Sequence, residues 1–311
     1  MNAGHALTPW TRAGAYAALI VTSALWGSNG SVARLLMGSV GPVSLSFMRW
    51  SLVMLILIPI VWHERTAIAL AVRDHWRTLV PLAFLGGVPQ NATVYIGLSG
   101  TTAIHLGLLN SIVPVMIILI GWVGYARRPR GLELGGLAIS SVGVLLIIAQ
   151  GDFAALMHFE FNFGDILVLV AMLCWSFYTV RFPMRPKGLS LFGFLFTVGL
   201  LSLPMVLPLF VSELLSQGVP SVGATEFAAI FYIAVVPTLG AMFLHAWGVE
   251  KVGAVQSGFF LHAMPPFAAL FAALLLGEQL HAYHAIGFVL VAGGAVLSCW
   301  KQDAVLSSRA R

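Results

Sequence analysis

Seven polar side chains lie inside long apolar stretches of the sequence, where an unpaired polar group is costly and marks a candidate for function. They are amides, phenols and one imidazole, so they donate and accept hydrogen bonds. We predict that they surround a central cavity and bind a solute, although each can instead bond two helices together. The seven are Asn29, Asn91, Tyr95, Asn110, Tyr178, Gln256 and His262.

Two tryptophans, Trp26 and Trp175, complete the candidate binding set. They occupy matching places in two halves of the chain, 149 positions apart. Facing indoles bury a large apolar area and can form walls for a flat apolar group. The alternative is the commoner role of a membrane tryptophan, which is packing against lipid or against other helices.

Arg49 lies inside the second apolar stretch. A guanidinium within a membrane costs roughly 2.5–3.5 kcal/mol on insertion scales unless it is paired or hydrated. It can hold the carboxylate of a solute, or it can bond helix-end carbonyls as a structural peg. The matching place in the second half has no arginine, and we favour the structural role.

The elements that carry these residues are membrane helices. The chain has 311 residues, of which 59% are hydrophobic and 9% charged, and its mean hydropathy is +0.95. Soluble domains carry about 25% charged residues, so this surface must face a lipid bilayer. The net charge of +5 comes from short basic clusters between apolar runs, a topology signal that predicts no nucleic-acid partner.

Ten apolar stretches are long enough to span a bilayer, which takes roughly 20 residues. The first is too long for the apolar core of a signal peptide, and the connections are too short for a soluble output domain. The predicted spans are 15–37, 43–62, 77–98, 103–124, 132–150, 164–182, 189–211, 226–247, 253–276 and 282–300.

Basic residues predict the orientation of these spans. With a cytoplasmic N-terminus, 14 of the 16 basic residues fall on the cytoplasmic side, and the opposite loops hold none. Cytoplasmic loops are the ones that carry such an excess. We therefore predict that the N-terminus and the C-terminus are both cytoplasmic.

Internal repetition indicates two related halves, which we predict as domains 15–150 and 164–300. At an offset of 151 positions, Gly136 matches Gly287 and Gly143 matches Gly294. Each half holds five spans, an odd number, so the halves must be inverted repeats. Such repeats place the binding site of a transporter near the midplane, at their interface.

Spans four and nine are the predicted lining of the pathway. Each carries small residues four positions apart, which permit close helix packing, followed by a proline at the same distance. The alternative is helix packing alone. The matched residues are Ala103, Gly107 and Pro114 in span four, and Ala254, Gly258 and Pro265 in span nine.

The acidic residues argue against one class of transporter. No carboxylate stands at mid-membrane to neutralise a cationic drug or to carry a proton, and a nucleotide-sugar carrier needs several basic groups for phosphates. A zwitterion with an apolar body fits better. All eleven acids lie in loops or near span ends: Glu64, Asp74, Glu133, Asp152, Glu160, Asp165, Glu213, Glu226, Glu250, Glu278 and Asp303.

We predict no catalytic residue, no metal and no cofactor. The sequence has no HExxH motif, no phosphate-binding GxxxxGK[ST] loop and no buried pair of acids. His281 and His284 flank a span without an evident third ligand. Cys174 and Cys299 lie inside apolar stretches and match neither a disulfide framework nor a metal-ligand spacing.

Several motifs together resemble the drug/metabolite transporter superfamily in its ten-helix, EamA-type branch. The resemblance covers about residues 15 to 300, and one departure is Ala126-Arg127, where the family has Gly-Glu after span four. The motifs are Leu25-Trp26-Gly27-Ser28-Asn29, Gly41-Pro42, Met48-Arg49, Leu109-Asn110-Ser111 before Pro114, Ala254-Val255-Gln256, Met264-Pro265-Pro266 and Gly277-Glu278.

Within this superfamily the chain resembles YddG-type exporters of aromatic amino acids. The resemblance implies two five-helix halves in a bacterial cytoplasmic (inner) membrane and the export, or facilitated diffusion, of aromatic or large apolar amino acids. The alternative is the export of other small metabolites or neutral drugs on the same scaffold. A monomer is plausible, and the oligomeric state stays open.

Overall fold

The structure is a computed structural model that describes residues 9–36, 38–98, 100, 109–126, 128–152 and 162–299. Within these ranges the chain is helical and no strand is found. The α-helices of the described residues are α1 Pro9–Arg34, α2 Pro42–Val61, α3 Arg65–Gly86, α4 Val88–Leu98, α5 Val113–Tyr125, α6 Gly131–Ile148, α7 Phe163–Arg181, α8 Leu191–Gln217, α9 Ala224–Ile233, α10 Ala241–Val252, α11 Ala254–Phe260, α12 Met264–Leu276 and α13 Ala282–Cys299.

Seven continuous helical stretches of the described chain are long and apolar enough to cross a membrane. Helices also occupy the described parts of all ten predicted spans, but the seven do not establish ten crossings, which stay a prediction. The segment Leu109–Tyr125 is apolar but shorter. The seven are Pro42–Gly97, Gly131–Ile148, Phe163–Met184, Leu191–Gln217, Ala224–Val252, Ala254–Leu276 and Ala282–Cys299.

Breaks in the helices fall at glycine, proline and one histidine. The helix of the predicted third span begins at Arg65 rather than at 77, bends at the non-helical His75 and is interrupted at Gly87. Helices α9 and α10 are joined by a π-helical segment, Ala234–Gly240, that contains Pro237. Such irregular turns free backbone groups, which is tolerated where they face protein or a cavity.

The surface between the helix ends is apolar, as a lipid-facing surface requires. Val123 on α5 is 84% exposed and Val289 on α13 is 68% exposed. Leu55 on α2 and Leu274 on α12 are exposed as well. An apolar surface of this extent supports the assignment to the membrane.

Helices α6 and α13 pack through the glycines that match in the repeat. A Cβ atom on Gly143 would lie 2.7 Å from the carbonyl oxygen of Gly287, and one on Gly136 would overlap that of Gly294. An offset of 151 positions converts each of these two contacts into the other. The contacting glycines follow one another in opposite order along α6 and α13, so the two matched helices are antiparallel, as inverted halves require.

Helices α2 and α8 also pack antiparallel, and a glutamate near the C-terminal end of each binds the start of the other. Glu213 accepts hydrogen bonds from the backbone N–H groups of Val43 (3.1 Å) and Ser44 (2.6 Å). Glu64 accepts one from the N–H of Ser190 (3.0 Å) at the start of α8. Glu64 and Glu213 are 149 positions apart, so this reciprocal capping is a second symmetric contact.

Prolines begin α5 and α12 rather than interrupting straight spans. Pro114 and Pro265 each stand in the first turn of their helix, where a missing N–H costs no hydrogen bond. The small pair Ala254 and Gly258 lies on α11, and a Cβ on Gly258 would lie 3.1 Å from Ile117 of α5. The matching pair, Ala103 and Gly107, lies outside the described residues.

Candidate functional site

An aromatic cluster joins the two halves of the chain. We use this name for Trp26 of α1, Trp175 and Tyr178 of α7, and His245 of α10. The rings of Trp26 and Trp175 meet edge to face at 5.4 Å between centroids. His245 lies 5.0 Å from Trp26 and 5.5 Å from Trp175, and Tyr178 lies 5.2 Å from Trp175. Three predicted site residues are therefore in mutual proximity.

The backbone around Trp26 fixes the orientation of its indole. Its Nε1 donates a hydrogen bond of 2.8 Å to the carbonyl of Pro237, which lies in the π-helical segment. Beside it, a Cβ on Gly27 would lie 2.9 Å from the backbone nitrogen of Ala268 on α12. Close packing on one side and a hydrogen bond on the other hold Trp26 at the contact between the halves.

Tyr178 depends on the break between α3 and α4. A Cβ on Gly86 would overlap the phenol ring of Tyr178, so only glycine permits this approach. Tyr178 is buried and also lies 6.0 Å from the ring of Phe182. The break within the third predicted span thus shapes one wall of the cluster.

His245 is a candidate site residue that was not predicted from the sequence. It is 3% exposed, and neither ring nitrogen has a hydrogen-bond partner within the described part of the chain. A buried polar group without a partner is costly, which makes His245 a candidate to bind a ligand. Its position near the end of a predicted span, shortly before Glu250 and Lys251, made it look like a residue of the membrane surface.

The aromatic cluster is closely packed, and the gap beside it is too narrow to hold a water molecule. The walls of this gap include Trp175, Tyr178, Met242 and His245. Farther along α10, at the face where basic residues gather, a crevice of about 230 Å³ opens between α5, α7 and α11. Spans four and nine therefore line the crevice, whereas the described walls of the gap come from α7 and α10 and the residues that follow α7.

A second polar group, the Arg49 cluster, lies one turn of α1 beyond Trp26. We use this name for Asn29, Arg49 and Tyr95. The hydroxyl of Tyr95 accepts hydrogen bonds from Nη1 of Arg49 (3.0 Å) and from Nδ2 of Asn29 (3.4 Å). Among the described contacts Arg49 binds no helix-end carbonyl, so the peg favoured from the sequence does not have the expected partners.

The other predicted residues lie apart from both clusters in the described contacts. Asn91 donates to the carbonyl of Gly87, immediately before its own helix, at 2.9 Å, and Asn110 is partly exposed in the short helical stretch that precedes α5. Gln256 is 2% exposed on α11, and its Nε2 has no partner among the described residues.

His262, in the second half, forms hydrogen bonds with two residues of the first half. Its Nδ1 lies 2.7 Å from the hydroxyl of Ser140 on α6, and its Nε2 lies 3.0 Å from the carbonyl of Ser111. Ser111 and His262 are 151 positions apart, so this contact joins two positions that match in the repeat. Both ring nitrogens are engaged, in contrast to those of His245.

This apolar helical fold, with a polar and aromatic site between two related halves, defines a membrane transporter. The model of the EamA-like transporter family matches residues 13–149 and again residues 162–300. The chain belongs to the EamA-like transporter family. The family resemblance expected from the sequence motifs is thereby confirmed.

Its relatives are transporters as well. The chain is 28% identical to the uncharacterized transporter YetK of Bacillus subtilis, over 93% of this chain and 88% of that protein. It is 24% identical to an uncharacterized transporter of Archaeoglobus fulgidus, over 91% and 96% respectively. It is also 24% identical to the uncharacterized inner membrane transporter YicL of Salmonella typhimurium, over 90% and 93%.

A solved crystal structure shares the fold. It superposes with a TM-score of 0.72 at 18% identity and covers 94% of this chain and 97% of the other. At this identity the likeness shows the fold alone.

Proposed function

We propose that this protein exports amino acids, or lets them diffuse across the membrane, and that aromatic and large apolar ones are preferred, as in YddG-type exporters. The membrane is the bacterial cytoplasmic (inner) membrane. In this proposal the halves 15–150 and 164–300 form ten spans as inverted repeats, with both termini in the cytoplasm. A relative from Salmonella typhimurium named as an inner membrane transporter supports the location.

The aromatic cluster is the observation that carries the proposal. Two tryptophans and a tyrosine supply flat apolar surfaces, and His245 adds polar atoms without partners in the described chain. Aromatic rings prefer offset or edge-to-face neighbours of their own kind. A solute with an aromatic body and polar ends can replace these ring contacts and bond the polar atoms.

The position of the crevice supports export. It offers about 230 Å³ at the basic face, and on α10 it is lined by Val252, less than one helical turn beyond Val249 of the gap beside the cluster. A solute that enters the crevice from the predicted cytoplasmic side meets the aromatic cluster first, and it binds when the rings of the cluster separate.

The proposed binding residues keep the set predicted from the sequence and add one. Trp26, Trp175, Tyr178 and His245 contact the solute when it separates their rings. The Arg49 cluster lies next along α1, and the remaining predicted residues line the route at the interface of the halves. These remaining residues are Asn91, Asn110, Gln256 and His262.

Uptake into proteoliposomes tests the proposal. We expect labelled tryptophan and phenylalanine to move faster than threonine and faster than a neutral dye. Trp175→Ala removes the central wall and should slow tryptophan uptake about tenfold or more, because stacking contacts worth about 1.5 kcal/mol are lost. The matched control is Trp122→Ala, since Trp122 is 48% exposed on α5, and its uptake should equal that of the parent.

One outcome favours the alternative function, the export of other metabolites or neutral drugs. The cluster carries no fixed charge among its four side chains, and therefore also suits a neutral flat solute. Dye uptake that exceeds tryptophan uptake, and falls in Trp175→Ala but not in Trp122→Ala, would support that alternative and contradict the amino acid proposal.

A further inference from the structure

Arg49 is a buried cation without a described counter-charge. Its side chain is 3% exposed on α2, and no carboxylate pairs with it within the described residues. Glu213, which binds the start of the same helix, is bonded to the N–H groups of Val43 and Ser44. A buried charge without compensation is strongly destabilising, so the surroundings of Arg49 suit an anionic ligand.

The two guanidinium nitrogens without hydrogen-bond partners in the described chain lie on the same edge of the planar group. Nη1 is held by the hydroxyl of Tyr95, at 3.0 Å, and the charged group lies 5.3 Å from the centroid of the same ring. Nε and Nη2 are buried and have no hydrogen-bond partner among the described residues. These two nitrogens share an edge of the planar group, and such an edge binds a carboxylate through two parallel hydrogen bonds.

The same cluster also holds an unpartnered acceptor. Asn29 donates through Nδ2 to the hydroxyl of Tyr95, while its Oδ1 is buried and without a partner in the described chain. The hydroxyl of Ser46, one turn before Arg49 on α2, is also buried and unpartnered there. The site therefore offers two donors to an anion and acceptors to a neighbouring ammonium group.

Arg49 is not one of the packing devices that the two halves share. Such devices occur in both halves, as Glu64 with Glu213 and Gly143 with Gly294 show. The matching place of Arg49 is Val198, which is fully buried in α8. The structural role favoured from the sequence therefore has neither a symmetric counterpart nor, among the described residues, the helix-end carbonyls that it requires.

We propose that Nε and Nη2 of Arg49 bind the carboxylate of the transported solute. Oδ1 of Asn29 then accepts a hydrogen bond from its ammonium group, and its apolar body rests on Trp26. Trp26 and Asn29 are three positions apart on α1, hence on the same face and about 4.5 Å apart along the axis. This inference rests on the proposed function and narrows the substrate class to organic zwitterions and acids with an apolar body.

The first test is equilibrium binding to the purified full-length protein, measured by calorimetry. The ligands are 3-phenylpropionate and its neutral amide, which differ only in the carboxylate. The parent should prefer the carboxylate about tenfold or more, because hydrogen bonds to charged groups contribute about 1.5–3 kcal/mol. Arg49→Gln should abolish this preference and Arg49→Lys should keep part of it, whereas Arg77→Gln, at the basic face, should keep all of it.

Phenylalanine transport separates this proposal from the proposed function. Arg49→Gln should raise the KM for phenylalanine about tenfold or more in proteoliposomes, with the same thermal unfolding temperature as the parent. If phenylalanine moves and Arg49→Gln leaves KM unchanged, the role of Arg49 is wrong and the proposed function stands. If the parent binds 3-phenylpropionate through Arg49 but does not move phenylalanine, the carboxylate site stands and amino acid transport is wrong. A parent that binds the acid no better than its amide overturns the site.

Discussion

Ala126 ends α5 in a backbone conformation that alanine rarely adopts. Its φ is 52°, and its N–H bonds the carbonyl of Gly121. Gly277, which lies 151 positions later, ends α12 in the same way, with a φ of 72° and a bond to the carbonyl of Ala272. Glycine adopts this left-handed conformation without steric cost, whereas a Cβ atom adds roughly 1–2 kcal/mol. Helices α5 and α12 therefore end in the same backbone conformation, and only Ala126, in the first half, is strained by it.

We expect Ala126→Gly to stabilise the protein. The substitution removes the Cβ clash, although glycine loses more freedom on folding, so the net gain is up to about 1 kcal/mol. Gly277→Ala introduces the same clash in the second half and should destabilise the protein. Thermal unfolding in detergent should show opposite shifts, and shifts of the same sign would contradict the shared helix end.

The two buried histidines show why residue type alone does not assign a role. His262 and His245 both lie in apolar helices, and His262 was the predicted ligand. His262 has two polar partners, Ser140 and Ser111, while His245 has rings as neighbours and no hydrogen-bond partner in the described chain. The partners come from other helices, and packing therefore distinguishes a cross-link from a binding group.

At the scale of elements, reciprocal capping of α2 and α8 fixes the contact between the halves. The first N–H groups of a helix have no partner within the helix, and a carboxylate there also meets the positive end of the helix dipole. Glu213 supplies this carboxylate to α2 and Glu64 supplies it to α8. Trp50 and Gly199 meet between the two ends, where a Cβ on Gly199 would lie 3.4 Å from the indole.

Glu64→Gln and Glu213→Gln should each destabilise the protein by about 1 kcal/mol, the usual cost of a lost helix cap. The amide keeps one acceptor but loses the charge that stabilises the helix start. Glu250→Gln is the control, because Glu250 forms an exposed ion pair with Arg185 at 2.9 Å, and such pairs contribute little. Thermal unfolding of the three variants checks this, and a parent-like temperature for either capping variant would contradict reciprocal capping.

In the molecule as a whole, the scaffold is symmetric between the two halves and the candidate site is not. The contacts that hold the halves together are symmetric: the repeat maps the contacts of α6 with α13, and of α2 with α8, onto themselves. The Arg49 cluster does not, because Val198 occupies the place of Arg49 in the second half. A symmetric scaffold can carry an asymmetric site, which gives the pathway a distinct end for the carboxylate.

The inverted arrangement makes a prediction about topology. Reporter fusions after Gln150, between the halves, and at the C-terminus should lie in opposite compartments, outside and in the cytoplasm respectively. The reason is that five spans separate the two points and that basic residues gather at one face. Alkaline phosphatase and green fluorescent protein fusions measure this, and equal compartments for the two fusions would contradict the inverted repeat.

Composition and pattern were enough to predict a helical membrane transporter and its family. A run of apolar residues between basic clusters favours a membrane helix whatever its neighbours are, because the bilayer rather than the rest of the chain sets that free energy. Repetition at 149 to 151 positions likewise paired Trp26 with Trp175 before any contact was known. Apolar runs, basic clusters and the repeat period can all be read from single segments or from the order of segments along the chain.

The tertiary structure alone decided which polar groups have partners. The free edge of Arg49, the unpartnered nitrogens of His245 and the two bonds of His262 each depend on side chains from helices far apart in sequence. The capping of α2 by Glu213 spans 170 positions along the chain. Hydrogen bonding is short-ranged and directional, so it is determined only when packing brings donors and acceptors to within about 3 Å of each other.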